Sequence, residues 1–132
     1  MMDAIERIIA ERACERLILD YAAAIDAADW DTVAALYVAS GRMSRPTAPD
    51  DFIEGRDAIL ASFCARPPRT TRHICANIRV TLLDADNATA SSQIMLFTAS
   101  DQPPLVGSYA DVMVREDGTW RFVERRGSLD FI

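Results

Sequence analysis

Hydrophobic positions along this chain follow two different periods, and the change falls near residue 70. In the first part Ile5, Ile9, Cys14, Leu17, Ile18, Tyr21, Ile25 and Ala28 recur mostly at three- and four-residue steps. That period predicts a long helix with one buried stripe. Asp29 is placed to cap a second helix from Trp30 to about Val38, ended by Ser40-Gly41. The stretch "GRMSRPTAPDDFIEG" (41 to 55) reads as a loop with a short strand at Gly41 to Arg45. A third helix is expected from Arg56 to about Ala65, before Pro67-Pro68. From Thr71 onward the pattern alternates. Strands are expected at Thr71 to Leu83, Ala88 to Ala99, Leu105 to Glu116 and Thr119 to Asp130. Asp117-Gly118 is a hairpin turn signal between the last two. Helices first and antiparallel strands after predict an α+β fold, with helices packed on one face of a sheet. The length of 132 residues suits a single domain over 1–132.

Two of these strands carry the polar residues of interest. In "TRHICANIRV" (71 to 80), strict alternation puts Ile74, Ala76, Ile78 and Val80 on one face and His73, Cys75, Asn77 and Arg79 on the other. For His73 to enter an interior, the strand needs a bulge or sharp curvature, or its apolar face must pack elsewhere. In the last hairpin, a two-residue turn sets Arg115 opposite Trp120, Met113 opposite Phe122, Asp111 opposite Glu124 and Tyr109 opposite Arg126. That face is apolar near the turn and polar beyond it, as in a small-molecule pocket. The plainer reading is charge neutralisation at a sheet end.

Composition narrows the chemistry. The net charge is −6 and no basic run is present, which argues against nucleic acid. No apolar run approaches the roughly 18 residues of a membrane span, and "MMDAIERIIAERACERL" does not read as a leader. Cys14, Cys64 and Cys75 are odd in number and lack a C-x-x-C pair, so a cytoplasmic setting is expected. One histidine without clustered cysteines does not make a transition-metal site. All 14 basic residues are arginine. Without lysine there is no Schiff base, no pyridoxal phosphate attachment and no Walker loop. No cofactor is expected.

What remains is His73, Asp26, Tyr109, Asp111 and Glu124. Histidine suits proton transfer near neutrality. Asp26 closes the first helix beside Ile25, and a carboxylate facing that partly apolar space would need a partner such as an imidazole N–H. Asp111 and Glu124, if opposed, would repel and raise at least one pKa. Each has a structural alternative: a satisfied or exposed strand histidine, a helix-ending aspartate.

Three segments in order, "DYAAAIDAADWDTVAALY" (20 to 37), "TRHICANIRV" and "GSYADVMVREDGTWRFVERRGSLDFI" (107 to 132), together resemble the SnoaL-like branch of the nuclear transport factor two-like superfamily. Within it the pattern is similar to the scytalone dehydratase and ring-hydroxylating dioxygenase β-subunit relatives. The resemblance implies a cone-shaped, curved, mostly antiparallel sheet wrapped around the N-terminal helices, with a pocket inside its mouth. It places the dehydratase-like aspartate on Asp26, the strand histidine on His73 and a polar pocket residue near Tyr109. A second strand histidine is missing, with Thr98 the nearest counterpart, and the tyrosine expected after the second helix falls on Arg45.

The expected function is a cofactor-independent lyase, isomerase or cyclase acting on a small apolar carbonyl compound. His73 would move the proton, Asp26 would orient it, and Tyr109 would donate to a developing enolate. Trp30, Tyr37, Met113, Trp120 and Phe122 would line the cavity, at least two of them serving only as core. The alternative is a non-catalytic ligand carrier or β-subunit-like structural protein. A homodimer is expected through Val106, Ala110, Val112, Val114 and Val123, or a trimer under the β-subunit reading.

Overall fold

The computed structural model describes residues 2–131. Three helices, α1 (Ala4–Asp26), α2 (Trp30–Ala35) and α3 (Arg56–Cys64), accompany six strands. These are β1 (Tyr37–Arg45), β2 (Ala48–Glu54), β3 (Arg72–Leu82), β4 (Asn87–Phe97), β5 (Leu105–Glu116) and β6 (Thr119–Leu129). One open sheet runs in the order β2-β1-β6-β5-β4-β3. β1 lies parallel to β6, and the other neighbours are antiparallel.

Helix α1 opens on a reciprocal cap. The Asp3 side chain accepts from the Glu6 backbone N–H at 2.8 Å, and the Glu6 carboxylate accepts from the Asp3 backbone at 3.1 Å. Its buried stripe runs from Ala10 through Cys14, Leu17, Ile18, Tyr21 and Ala24 to Ile25. Ile5 and Ile9, expected in that stripe, are 70% and 63% exposed, because the helix meets the core only from Ala10 onward. Ala28 adopts a left-handed φ of 54° and turns the chain, and Asp29 then caps α2 through Thr32.

The sheet begins earlier than local pattern suggests. Tyr37 and Val38 enter β1 rather than α2, because Tyr37 pairs with Phe122 and the Phe122 N–H binds the Leu36 carbonyl at 2.8 Å. Residues 41 to 55 form most of the β1–β2 hairpin, not a loop. Both corrections come from long-range pairing, which outweighs a local helix-stop signal.

Two bulges bend the sheet and reassign its faces. Across β3 and β4, Ala76 pairs with Gln93 but Arg79 pairs with Ser91, so β3 carries one extra residue. Asn77 sits there with φ 53°, a left-handed conformation that Asn tolerates better than most residues. His73 and Cys75 therefore share the inner side with Ile78, Val80 and Leu82, while Ile74 is 44% exposed. Across β5 and β6, Met113 pairs with Phe122 but Val112 pairs with Glu124, leaving Val123 as the extra residue. From there on the predicted register is wrong by one. Asp111 faces Arg125, not Glu124, and Tyr109 faces Gly127, not Arg126. The core lies between α1 and the inner side of the sheet, with Tyr21, Tyr37, Met113 and Phe122 among its members.

The Asn77 bulge yields a direct test. Asn77→Gly should fold with near wild-type stability. Asn77→Val, a β-branched residue at positive φ, should lose about 1–2 kcal/mol in chemical denaturation.

Candidate active site

Asp26 is the last residue of α1, at the negative end of the helix dipole. A carboxylate there is disfavoured by typically 0.3–1 kcal/mol. It is held by three donors from the start of β3. Thr71 Oγ1 donates to Oδ1 at 2.9 Å, the His73 backbone N–H donates to Oδ2 at 2.9 Å, and His73 Nδ1 lies 2.6 Å from Oδ1. Both side chains are close to 90% buried, at 9% and 10% exposure. An ionised carboxylate only accepts, so Nδ1 carries the proton, and in the neutral ring Nε2 is then the acceptor.

His73 opens onto a cavity of about 430 Å³. One end is framed by the β1–β2 turn and the α3–β3 loop, through Pro46, Thr47 and Pro67. Gly127 permits that approach, because a Cβ there would stand 2.7 Å from Pro46. Ile25, Phe63, Ile94 and Leu96 give the cavity apolar walls. Tyr21 and Tyr37 join their hydroxyls at 2.9 Å on its inner side. Burial raises the pKa of Tyr21, Tyr37 and Tyr109, so all three remain phenols able to donate.

Arg125 also lines the cavity and is 2% exposed. Its guanidinium carbon lies 3.9 Å from the Tyr109 ring centroid, 4.6 Å from that of Tyr21 and 4.9 Å from that of Phe122. Nε is 3.3 Å from Asp111 Oδ1, out of hydrogen-bond alignment, and neither Nε nor one terminal nitrogen has a hydrogen-bond partner. Burial works against this charge, but Asp111 and the tyrosines outweigh it and raise the pKa. Asp111 receives no hydrogen bond, and burial pushes its carboxyl up to about 6, with Arg125 opposing only in part.

The structure sorts the expected site residues into three groups. His73, Tyr37 and Tyr109 line the cavity, and Asp26 stands behind His73. Met113, Trp120 and Phe122 pack in the core outside the cavity lining, Trp30 stacks on Phe63 at 5.2 Å, and Asp111 lies beneath the wall with Arg125. Glu124 points to the outer side, where it binds Arg42 at 2.6 Å, and Arg126 reaches Asp50 at 2.6 Å. The Val123 bulge is the reason for both displacements. Arg125, Arg45, Arg66 and Arg69 are cavity residues outside the expected set. No local signal marks Arg125, because strict alternation after Trp120 and Phe122 places residue 125 on the outer side and only the bulge at Val123 turns it inward. Among the described residues no group of three or more His, Cys, Asp or Glu is placed to hold a metal ion.

The sequence pattern of the SnoaL-like domain family matches residues 6–126. The chain belongs to this family. No match is found among curated proteins. Among solved structures, a provisionally named scytalone dehydratase from Novosphingobium aromaticivorans DSM 12444 is 26% identical with TM-score 0.85, covering 98% of this chain and 89% of its own. A Mycobacterium tuberculosis protein of unknown function is 25% identical with TM-score 0.85, covering 100% and 78%. Hexachlorocyclohexane dehydrochlorinase LinA-type3 from Novosphingobium barchaimii LL02, at 15% identity, TM-score 0.83 and coverage of 98% and 92%, shares the fold. The family resemblance carried by the three sequence segments is thus found, as is the expected fold of N-terminal helices on a mostly antiparallel sheet, which is shared with an ntf2-like protein described as having a cystatin-like fold.

The Asp111 carboxyl makes stability depend on pH in a stated direction. Its folded pKa is raised above the unfolded value of 3.8, so its contribution is full below 3.8 and is lost as pH rises to about 6. Relative to Asp111→Asn, the wild type should lose about 3 kcal/mol in urea unfolding between pH 4 and 7, at roughly 1.4 kcal/mol per unit. A constant difference across that window would contradict the assignment.

Proposed function

We propose that this SnoaL-like protein is a cofactor-independent acid–base enzyme, a lyase or isomerase, that removes a proton α to a carbonyl in a small, partly apolar compound. The Asp26–His73 contact at 2.6 Å, opening on a cavity, carries the reading. Asp26 holds the Nδ1–H tautomer, and Nε2 takes the substrate proton. The charge that develops on the carbonyl oxygen is stabilised by a phenol, Tyr109, and by the nearby positive charge of Arg125. The apolar walls limit water around that charge and strengthen both interactions. If His73 Nε2 gives its proton to a β-hydroxyl, the C–O bond breaks, water leaves and the reaction is a dehydration; if it returns the proton at another carbon, the reaction is an isomerisation. Similarity to the provisionally named scytalone dehydratase supports the first.

The test is proton exchange followed by NMR in D2O with a panel of cyclic β-hydroxy ketones. His73→Asn should lower exchange or elimination by about 10²–10⁴-fold, and Asp26→Asn should lower it less while leaving the cavity intact. Turnover unchanged in His73→Asn would overturn the reading.

The same reading includes a homodimer in the cytoplasm. On the outer side of the sheet Ile74, Met95 and Val106 stand side by side in register, next to Phe97, and Val112 is 38% exposed. Sedimentation should give twice 14.6 kDa for the wild type. Met95→Glu should shift it to the monomer. A wild type that sediments as a monomer at micromolar concentration argues against the dimer.

A further inference from the structure

The cavity wall carries four arginines, Arg45, Arg66, Arg69 and Arg125, and no aspartate or glutamate. In a chain with 20 acidic and 14 basic residues this is a local reversal of sign. Of the ten arginines elsewhere, six have carboxylate partners, among them Arg16 with Asp20 at 2.9 Å, Arg42 with Glu124 at 2.6 Å, Arg115 with Asp86 at 3.0 Å and Arg126 with Asp50 at 2.6 Å, and the other four, Arg7, Arg56, Arg72 and Arg79, lie outside the cavity. Arg45, Arg66 and Arg69 form no ion pair among the described residues.

Their surroundings are those of charges lacking a counterion. Arg45 reaches only the Ser62 carbonyl, at 3.3 Å, and its Nε is buried without a partner. Arg66 lies over the Phe63 ring at 4.5 Å. Burial, followed by the charges of Arg45 and Arg69, lowers its pKa to about 10. Arg69 is exposed, Arg45 and Arg66 are half-buried and Arg125 is 2% exposed, so the four charges descend from the mouth to the interior. The backbone favours this placement. Arg45 ends β1 just before Pro46, and Arg66 and Arg69 flank Pro67-Pro68, whose fixed φ limits the loop.

Resting on the reading of this cavity as a substrate site, we propose that the substrate is an anion. Its carboxylate or phosphate-monoester group is gripped at the mouth by Arg45, Arg66 and Arg69, and its uncharged carbonyl-bearing body extends inward to His73 and Arg125. Guanidinium groups bind both kinds of oxyanion in bidentate fashion. The apolar residues Ile25, Ile94 and Leu96 suit the body and not the charge. A positive mouth on an acidic protein also draws an anionic substrate selectively to the site.

The test is calorimetric binding at low salt of trans-cinnamate, phenyl phosphate and methyl cinnamate to the wild-type protein. Cinnamate or phenyl phosphate should bind at least about tenfold more tightly than the neutral ester, and added salt should close the gap. The tighter of the two identifies the oxyanion. Arg66→Gln and Arg69→Gln should each weaken the anion by about tenfold and leave the ester unchanged. Arg66→Gln loses both the contact with the Phe63 ring and the repulsion from Arg45 and Arg69, so its melting temperature should stay within a few degrees of the wild type, and a melting curve separates weak binding from unfolding. Equal binding of acid and ester, absence of anion binding, or equal losses for both ligands in the variants would overturn the proposal. Proton exchange dependent on His73 with neutral ketones would persist in that event, and anion binding without such exchange would instead overturn the catalytic reading.

Discussion

The Asp26 carboxylate joins the end of α1 to the start of β3 through Thr71 Oγ1, the His73 backbone N–H and His73 Nδ1. Each hydrogen bond to a charged group is worth about 1.5–3 kcal/mol, more than the helix dipole takes away. The link therefore supports the packing of α1 on β3 and also sets the imidazole tautomer. Removing either partner leaves a nearly buried polar group without its complement. One interaction thus serves both fold and site, and the cavity is shaped around the ring it fixes.

A second buried charge pair stands under the opposite wall, and its character differs. Arg125 and Asp111 are close without a well-aligned hydrogen bond. The guanidinium is compensated by three aromatic rings, whereas the carboxylate receives no donor. Such a pair contributes little net stability. It keeps a positive charge at the cavity wall.

How much of this is legible in the sequence depends on whether a feature is local. The α1 stripe, the Asp29 cap, the Asp117-Gly118 turn and the pairs Met113–Phe122 and Arg115–Trp120 follow from short-range pattern and turn geometry. The inward side of His73 does not, because alternation across residues 71 to 80 points the other way until Asn77 adds its extra residue. A strand Asn, tolerant of left-handed φ, is the only local trace of that bulge. The Val123 bulge leaves no such trace, which hides Arg125 and brings Glu124 into the expected site in its place. The arginines of the mouth lie at the end of β1 and on the loop after α3, and only the assembled fold brings them together.

The central claim is that Asp26 fixes His73 with Nδ1 protonated and Nε2 free toward the cavity. Nitrogen-15 NMR of the imidazole measures this directly. The account predicts the Nδ1–H tautomer in the wild type and its loss of dominance in Asp26→Asn. A wild-type ring in the Nε2–H form would contradict it.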